Sequence, residues 1–188
     1  MNALRNAIHL SHMLISRQVK QGDTVVDATC GNGKDTLFLA RLVGGSGRVM
    51  AFDIQQQALE STRALLNKEG CGEQLSLIHD NHANIKSYIQ SGVSAGMFNL
   101  GYLPGGDHAT KTNPRDTVLA VNRILEILNP GGVVTVVSYP GHTGGPEENM
   151  ALESSLMSLP QKHFEVLAAN FINQANHPPQ LLCITKLS

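Results

Sequence analysis

A short segment of aspartate and glycine constrains the fold of this chain more than any other feature. Residues 27–33 read D-A-T-C-G-N-G, follow a β-branched run that begins at Thr24, and precede a helical pattern from about Asp35 to Val43. Glycine tolerates positive φ and lets a ligand approach the backbone, and the amides that open a helix attract a negative group such as a carboxylate. The segment therefore predicts a strand, a tight ligand-binding turn and a helix.

Strand-like and helix-like segments alternate through the rest of the chain and end in two strands joined through N-H-P-P at 176–179. Alternation of this kind predicts a Rossmann-like α/β fold: a doubly wound, mostly parallel seven-stranded sheet with a C-terminal antiparallel hairpin and an N-terminal helix. The predicted strands are 24–28, 48–54, 75–79, 94–100, 133–139, 164–172 and 181–187. The predicted helices are 1–20, 35–43, 55–69, 83–91, 117–128 and 147–159.

Size, charge and cysteine content narrow the class of protein. The 188 residues show no compositional break, which predicts one domain over 1–188 with the helix of residues 1–20 packed on it. Fourteen Lys and Arg against 15 Asp and Glu give a net charge of −1, so no basic excess points to nucleic acid. Cysteine spacing typical of metal or redox sites is absent, as are a membrane span and a secretory signal, so we expect a cytoplasmic protein without a membrane partner.

An acidic residue at the end of the second predicted strand makes the glycine segment more specific. Asp53 lies where its carboxylate can accept hydrogen bonds from both hydroxyls of a ribose, and Gln55 follows it closely. Thr36 occupies the position of a third Rossmann glycine, and Asp27 would repel a pyrophosphate, so a dinucleotide is disfavoured. A nucleoside with a zwitterionic amino-acid tail fits better, which points to S-adenosylmethionine.

The end of the third predicted strand adds H-D-N-H at 79–82. Asp80 or Asn81 could bind an adenine amino group and His82 could line the pocket, although Asp80 or Asn81 could equally cap a helix, and both roles can coexist. The candidate cofactor-binding residues are Asp27, Cys30, Gly31, Asn32, Gly33, Asp35, Thr36, Asp53, Gln55, Asp80, Asn81 and His82.

Two glycine-rich loops are predicted to face the same cleft on the acceptor side: N-L-G-Y-L-P-G-G-D-H at 99–108 and S-Y-P-G-H-T-G-G at 138–145. The first stands where many amino-group methyltransferases carry Asn/Asp-Pro-Pro-Tyr, which is absent here. Methyl transfer mainly demands an aligned nucleophile, and an amine must first lose a proton. The candidate bases or orienting groups are Asp107, His108 and His142, and the candidate stacking rings are Tyr102 and Tyr139, each of which could instead be an ordinary loop or packing residue.

The motifs together resemble one family. D-A-T-C-G-N-G-K-D-T-L-F-L-A, F-D-I-Q, H-D-N-H and the two loops are similar to the small proteins long labelled rRNA methylases, members of which are tRNA 5-(aminomethyl)-2-thiouridine methyltransferases. The resemblance implies N-methylation of the 5-aminomethyl group at the wobble position, release of S-adenosylhomocysteine, tRNA (anticodon region) as partner, and a homodimer. It implies cofactor contacts for Asn32, Asp53, Gln55, Asn81 and His82, and it places Asp107, Tyr139 and His142 in loops that face the wobble nucleotide.

Other functions remain open at the level of sequence. They are a methyltransferase of rRNA or of a small molecule, a binding module without chemistry, and a nicotinamide-dependent oxidoreductase. No metal is expected, because the histidines lack the HExxH spacing. A local basic face would be needed for RNA, and its candidate residues, which could equally be scattered solubilising charges, are Arg5, Arg17, Lys20, Lys34, Lys111 and Arg115.

Overall fold

The computed structural model describes residues 4, 6–101, 112–141 and 144–188. Helices and strands alternate along most of it. In chain order the elements are α1 (Ala7–Gln18), β1 (Thr24–Asp27), α2 (Lys34–Val43), β2 (Arg48–Asp53), α3 (Gln56–Lys68), β3 (Leu75–His79), a 3₁₀ helix (His82–Ser87), β4 (Val93–Asn99), α4 (Pro114–Ile127), β5 (Leu128–Ser138), α5 (Gly145–Met157), β6 (Phe164–Ala169) and β7 (Gln180–Lys186).

Seven strands form one sheet in the order β3-β2-β1-β4-β5-β7-β6. Strands β1 to β5 pair in parallel, whereas β7 runs antiparallel to both β5 and β6. This arrangement confirms the predicted Rossmann-like fold with its C-terminal hairpin. The chain winds outward in opposite directions from β1 and β4, so the carboxyl ends of these two strands form the switch point where such sheets bind ligands.

The central strands are buried on both faces, which is why they read as nearly continuous apolar runs. On one face, α1, α2 and α3 contribute Ile15, Leu39 and Leu66 to the core. On the other face, α4 and α5 contribute Ile124 and Leu152. Each such aliphatic side chain stabilises the fold by about 1.5–3 kcal/mol when it is fully buried. The predicted N-terminal helix is thus an integral layer of the domain.

Polar contacts fix two helices that frame the site. In α1, the Ser11 hydroxyl donates to the Thr135 hydroxyl of β5 at 2.8 Å in a buried hydrogen bond. Helix α4 begins three residues earlier than predicted, because the Asn113 side chain caps it by accepting from the Arg115 amide at 2.9 Å and Pro114 suits the first turn.

Several other bounds differ from the sequence prediction: α1 covers Ala7–Gln18 rather than 1–20, β6 ends at Ala169 rather than at 172, and α5 covers Gly145–Met157 rather than 147–159. The segment 83–91 forms a short 3₁₀ helix, His82–Ser87, rather than an α-helix. Strand β5 starts at Leu128 directly after α4, because N-P-G-G at 129–132 continues the strand through a register irregularity beside Val93. Within the described ranges, the structure holds no helix long and apolar enough to cross a membrane.

Candidate cofactor and acceptor site

A cavity of about 380 Å³ opens at the carboxyl ends of the parallel strands, within the size range of small-molecule sites. The turn after β1, the ends of β2 and β4, the start of the 3₁₀ helix and the residue after β5 all contribute to its wall. The cavity therefore lies at the switch point of the sheet, where the sequence predicted it.

Hydrogen bonds hold the glycine turn against the end of β2. The Gly31 amide donates to Asp53 Oδ2 at 3.0 Å, and the Gln55 amide donates to Asp53 Oδ1 at 2.9 Å. The Thr62 hydroxyl of α3 donates to the Gly31 carbonyl oxygen at 3.0 Å. A carboxylate has about four lone-pair sites, so each Asp53 oxygen can still accept a hydroxyl from a ligand.

Gly33 makes this close packing possible. Its φ of +80° lies in the left-handed region, and a Cβ there would lie 2.9 Å from Thr62 Cα. A larger residue would therefore both strain the backbone and push α3 away from the turn. The second glycine of the D-x-x-x-G-x-G segment is thus needed for packing beneath the cavity.

Asp27 lies under the turn and not in the cavity wall. Its buried carboxylate accepts the Thr36 hydroxyl at 2.6 Å and the Thr29 amide at 3.2 Å. Burial, and then the nearby charges of Asp35 and Asp53, raise the pKa of Asp27 to about 7 despite these hydrogen bonds. Asp27 therefore stabilises the turn through buried hydrogen bonds and does not contact the cavity.

Asn81 caps the 3₁₀ helix at the third strand end, as the alternative interpretation allowed, and Asp80 accepts hydrogen bonds from the same helix. Asn81 Oδ1 accepts the Ala83 amide at 2.8 Å, and its Nδ2 donates to Asp116 at 2.8 Å. Hydrogen bonds from Asn84 and then Tyr88 lower the pKa of Asp80, which keeps it ionised. Both Asp80 and Asn81 also line the cavity, so capping does not remove them from a ligand.

His82 lines the cavity and carries one buried, unsatisfied ring nitrogen. Its Nδ1 donates to the Ala28 carbonyl oxygen at 3.0 Å, whereas its buried Nε2 has no hydrogen-bond partner among the residues that the structure describes. Burial lowers the pKa of His82 and favours the neutral ring, in which Nε2 is a lone-pair acceptor. A buried acceptor without a donor is costly, and a ligand donor such as an adenine amino group or a ribose hydroxyl would satisfy it.

The polar groups around the cavity can be compared with those of an adenosyl cofactor. The cavity offers a carboxylate for ribose hydroxyls at Asp53, an orphaned acceptor at His82, and helix-opening amides beside the carboxylate of Asp35 for an amino-acid tail. Donor and acceptor types match that group, so the residues present fit S-adenosylmethionine.

A chain of polar contacts that the sequence did not reveal runs from α1 to residues of the cavity wall. His12 Nε2 lies 2.7 Å from Asp35 Oδ1, and Asn99 Nδ2 donates to Asp35 Oδ2 at 3.2 Å. The Tyr139 hydroxyl in turn donates to Asn99 Oδ1 at 2.8 Å. The ring of His12 also stacks on Phe38. The contacts thus link α1, α2, β4 and the end of β5 across the site.

His12 and Asn99 had no predicted role. The signal for His12 is a polar Ser-His pair within the apolar stripe of α1, where a buried surface would otherwise favour aliphatic residues. Asn99 stands at the end of the fourth strand, at the same edge as the other polar strand ends. Burial, and then the charge of Asp35, raise the pKa of Tyr139, so its hydroxyl is a neutral donor near pH 7.

The structure brings most of the predicted site residues to one cavity. Among the cofactor candidates, those in its wall are Cys30, Gly31, Asn32, Asp35, Asp53, Gln55, Asp80, Asn81 and His82. The other three, Asp27, Gly33 and Thr36, lie behind the wall. On the acceptor side Tyr139 is in the wall, and the candidates outside the residues that the structure describes are Tyr102, Asp107, His108 and His142.

Metal-ligand clusters do not occur in the described part of the chain, where no three His, Cys, Asp or Glu side chains could hold one ion. Burial raises the pKa of the Cys30 thiol far above its usual range, although Cys30 lies in the cavity wall. The Cys30 sulfur is therefore a packing atom and not a nucleophile.

The fold and the site together define the class: this is the architecture of an S-adenosylmethionine-dependent methyltransferase. Residues 49–185 match the model of the family described as "Putative rRNA methylase", so the chain belongs to that family. This result confirms the resemblance inferred from the motifs, and S-adenosylmethionine is the cofactor that the class uses.

Individual relatives agree with this assignment. The curated "tRNA (mnm(5)s(2)U34)-methyltransferase, chloroplastic" of Arabidopsis thaliana is 38% identical over 166 residues, which are 83% of this chain and 61% of that protein. The chain therefore spans about three fifths of the length of this curated relative.

Two solved structures are similar over almost their whole lengths. The "putative rRNA-methylase" of Clostridium thermocellum is 49% identical with a TM-score of 0.95, covering 97% of this chain and 98% of that one. A "putative methyltransferase" of Streptococcus mutans, solved in complex with SAH, is 38% identical with a TM-score of 0.89, covering 97% and 99%.

Proposed function

We propose that this chain methylates the amino group of 5-aminomethyl-2-thiouridine at the wobble position of tRNA, giving 5-methylaminomethyl-2-thiouridine. The observation that carries the proposal is that one cavity holds a nucleoside wall built on Asp53 and a second wall built on Asn99 and Tyr139. The printed name of the Arabidopsis relative supports tRNA as the acceptor.

The cofactor supplies an electrophilic methyl group on a cationic sulfur. Asp53 accepts the ribose hydroxyls, and Asp80, Asn81 and the Nε2 atom of His82 contact the adenine side. Asp35 receives the ammonium of the amino-acid tail. The carboxylates at this sheet edge create a negative potential that favours a cation over a neutral nucleoside.

The acceptor amine must lose a proton before it can take the methyl group. Its N–H bond breaks, the electron pair stays on nitrogen, and the proton passes to a base and then to water. This electron pair forms the new N–C bond, while the bond from the methyl carbon to sulfur would break with its electrons on sulfur and S-adenosylhomocysteine would leave. Asp107 and His142 remain the candidate bases. Tyr139 has a raised pKa and its hydroxyl donates a hydrogen bond to Asn99, so its role is to orient Asn99 and to offer a ring face to the nucleobase.

An exposed cation in the cavity wall supports contact with RNA phosphates. Lys34 is exposed and lies in the cavity wall. The described members of the proposed basic face, all exposed, are Arg17, Lys20, Lys34 and Arg115, whereas Arg5 and Lys111 lie outside the described residues. Replacing Lys34 with Ala should weaken tRNA binding and reduce its salt dependence. A cytoplasmic location is part of the proposal, whereas the Arabidopsis relative is named as chloroplastic.

A homodimer through the outer edge of β6 is a further part of the proposal. Val166 and Leu167 are 42% and 55% exposed on this edge strand, beside an apolar groove lined by Leu156, Met157 and Phe164. Two copies of an exposed apolar edge can pair about a twofold axis. Sedimentation should show a dimer that Leu167→Asp dissociates and the loop control Ile172→Asp does not. A wild-type monomer would refute the dimer.

The family description favours rRNA as the second candidate substrate. The test incubates the protein with labelled S-adenosylmethionine and, in parallel, tRNA from cells that lack the terminal wobble methylation and rRNA from the same cells. Nucleoside analysis should show 5-aminomethyl-2-thiouridine converted to its methylated product, with no label in rRNA. Label in rRNA alone would overturn the proposal and establish the alternative.

A further inference from the structure

Glu148 is a buried carboxylate close to the acceptor side that has no assigned role. It lies in the first turn of α5 and is only 6% exposed. Its Oε1 accepts the Thr117 hydroxyl of α4 at 2.8 Å, and its Oε2 accepts the Thr112 hydroxyl at 3.0 Å. Two hydroxyl donors thus hold both oxygens of this side chain in place.

Thr112 joins Glu148 to the base of the first acceptor loop. The Gly101 amide donates to Thr112 Oγ1 at 3.3 Å, and the Thr112 amide donates to the Gly101 carbonyl oxygen at 3.2 Å. Gly101 and Thr112 are the residues on either side of segment 102–111, which carries Asp107. The hydrogen bonds from Gly101 through Thr112 to Glu148 therefore connect the residues on both sides of this segment to α5.

The second acceptor loop ends at the same helix. The Glu148 amide donates to the Gly144 carbonyl oxygen at 3.1 Å, and a Cβ on Gly145 would lie 2.1 Å from the Tyr139 carbonyl oxygen. The first turn of α5 is thus packed directly against the residue that orients Asn99. Glu148 contacts one acceptor loop through its side chain and the other through its backbone.

We propose that Glu148 is a positioning residue that fixes the two acceptor loops relative to each other and to the cavity. An aliphatic residue at position 148 would only fill the space between the helices. A carboxylate held by two hydroxyls also fixes the orientation of the Thr112 and Thr117 side chains. The inference rests on the proposed function for its kinetic consequence, but its structural consequence at Gly101 and Thr112 does not depend on the substrate.

The test compares Glu148→Gln and Glu148→Ala with the control Glu153→Gln. Glu153 is a half-buried glutamate of the same helix whose carboxylate accepts from Asn149 and Gln180 and not from Thr112 or Thr117. We expect Glu148→Ala to lower kcat/KM for tRNA about 10- to 100-fold through KM, with the dissociation constant of S-adenosylhomocysteine within about twofold of wild type. Glu148→Gln keeps one acceptor and should recover part of the loss.

Hydrogen exchange provides a readout that needs no substrate. Exchange of the peptide covering residues 99–113 should increase in both Glu148 variants and not in Glu153→Gln, while the peptide covering 27–37 stays unchanged. Unchanged exchange at 99–113, or an equal loss of cofactor and tRNA binding, would overturn the proposal. If the wild-type protein leaves this tRNA unmethylated, the proposed function fails while the exchange comparison still decides the role of Glu148.

Discussion

The backbone amide of Gly31 donates a hydrogen bond to the carboxylate of Asp53 at 3.0 Å and ties the turn after β1 to the end of β2. Two residues 22 positions apart thereby form one wall of the cavity. The same carboxylate shapes the turn and remains able to accept ligand hydroxyls, so one side chain serves the local structure and, in the proposed assignment, cofactor binding.

Replacing Asp53 with Asn should weaken cofactor binding. The amide of Asn offers one acceptor oxygen where Asp offers two, and its NH₂ group would oppose the Gly31 or Gln55 amide. We expect the dissociation constant of S-adenosylhomocysteine to rise about 10- to 100-fold, corresponding to about 1–3 kcal/mol. Calorimetric titration measures this change, with exposed Glu165→Gln on β6 as control. Wild-type affinity in Asp53→Asn would contradict the assignment of Asp53 to the ribose.

The pH dependence of stability should report on Asp27. Its pKa rises from 3.8 to about 7 on folding, so the folded state holds more protons between these values. The free energy of unfolding that Asp27 contributes is therefore fully present below about pH 4 and is lost as the pH rises through about 7. The full loss is on the order of 4 kcal/mol.

Asp27→Asn removes this titration. Urea unfolding at pH 5 and at pH 8 should show that the variant gains stability relative to wild type by a few kcal/mol at the higher pH. A difference between variant and wild type that is the same at both pH values would refute the raised pKa. The Thr36 hydroxyl can still donate to the amide oxygen that the substitution introduces, so the fold should survive.

His12 should affect the acceptor side from outside the cavity wall. Replacing His12 with Ala removes a donor from Asp35, and Asn99 and Tyr139 then lose part of their fixed orientation. We expect about tenfold lower kcat and a loss of about 1–2 kcal/mol of stability. His12→Gln, which keeps a donor, should recover part of the activity, and exposed His163→Ala serves as control. Full activity in His12→Ala would show that these contacts are incidental.

Two glycine substitutions distinguish a position where the backbone requires glycine from a loop position that accepts a larger residue. Gly33→Ala places a Cβ against Thr62 at a positive φ, whereas a Cβ at Gly45 meets no described atom within 4 Å. Gly33→Ala should destabilise the protein by about 1–3 kcal/mol and weaken cofactor binding, while Gly45→Ala should be nearly neutral. Thermal unfolding and calorimetry on both variants check this, and equal stabilities would contradict the close packing of the turn on α3.

Most of the fold could be predicted from local sequence patterns. The apolar runs of β1, β2 and β4 predict buried parallel strands, and the N-H-P-P turn predicts the C-terminal hairpin, because each signal lies within a few neighbouring residues. The boundaries at Leu128 and Ser87 depend on how a strand or short helix packs in the finished sheet. Propensity alone cannot supply that information.

The cofactor side of the site was predictable for a similar reason. Asp53 and His82 both follow strands, and parallel strands bring their carboxyl ends to one edge. The contacts of His12 with Asp35 and of Glu148 with Thr112 join residues distant in sequence and leave no local pattern. Asp27 stabilises the turn because it is buried, and no local sequence pattern encodes that burial.

A crystal structure of the protein with S-adenosylhomocysteine tests the central claim most directly. We expect the ribose hydroxyls on the Asp53 carboxylate, the adenine beside Asn81, and a ligand donor within hydrogen-bond distance of His82 Nε2. A nucleoside bound away from Asp53, or a cavity left without ligand at saturating concentration, would contradict the account.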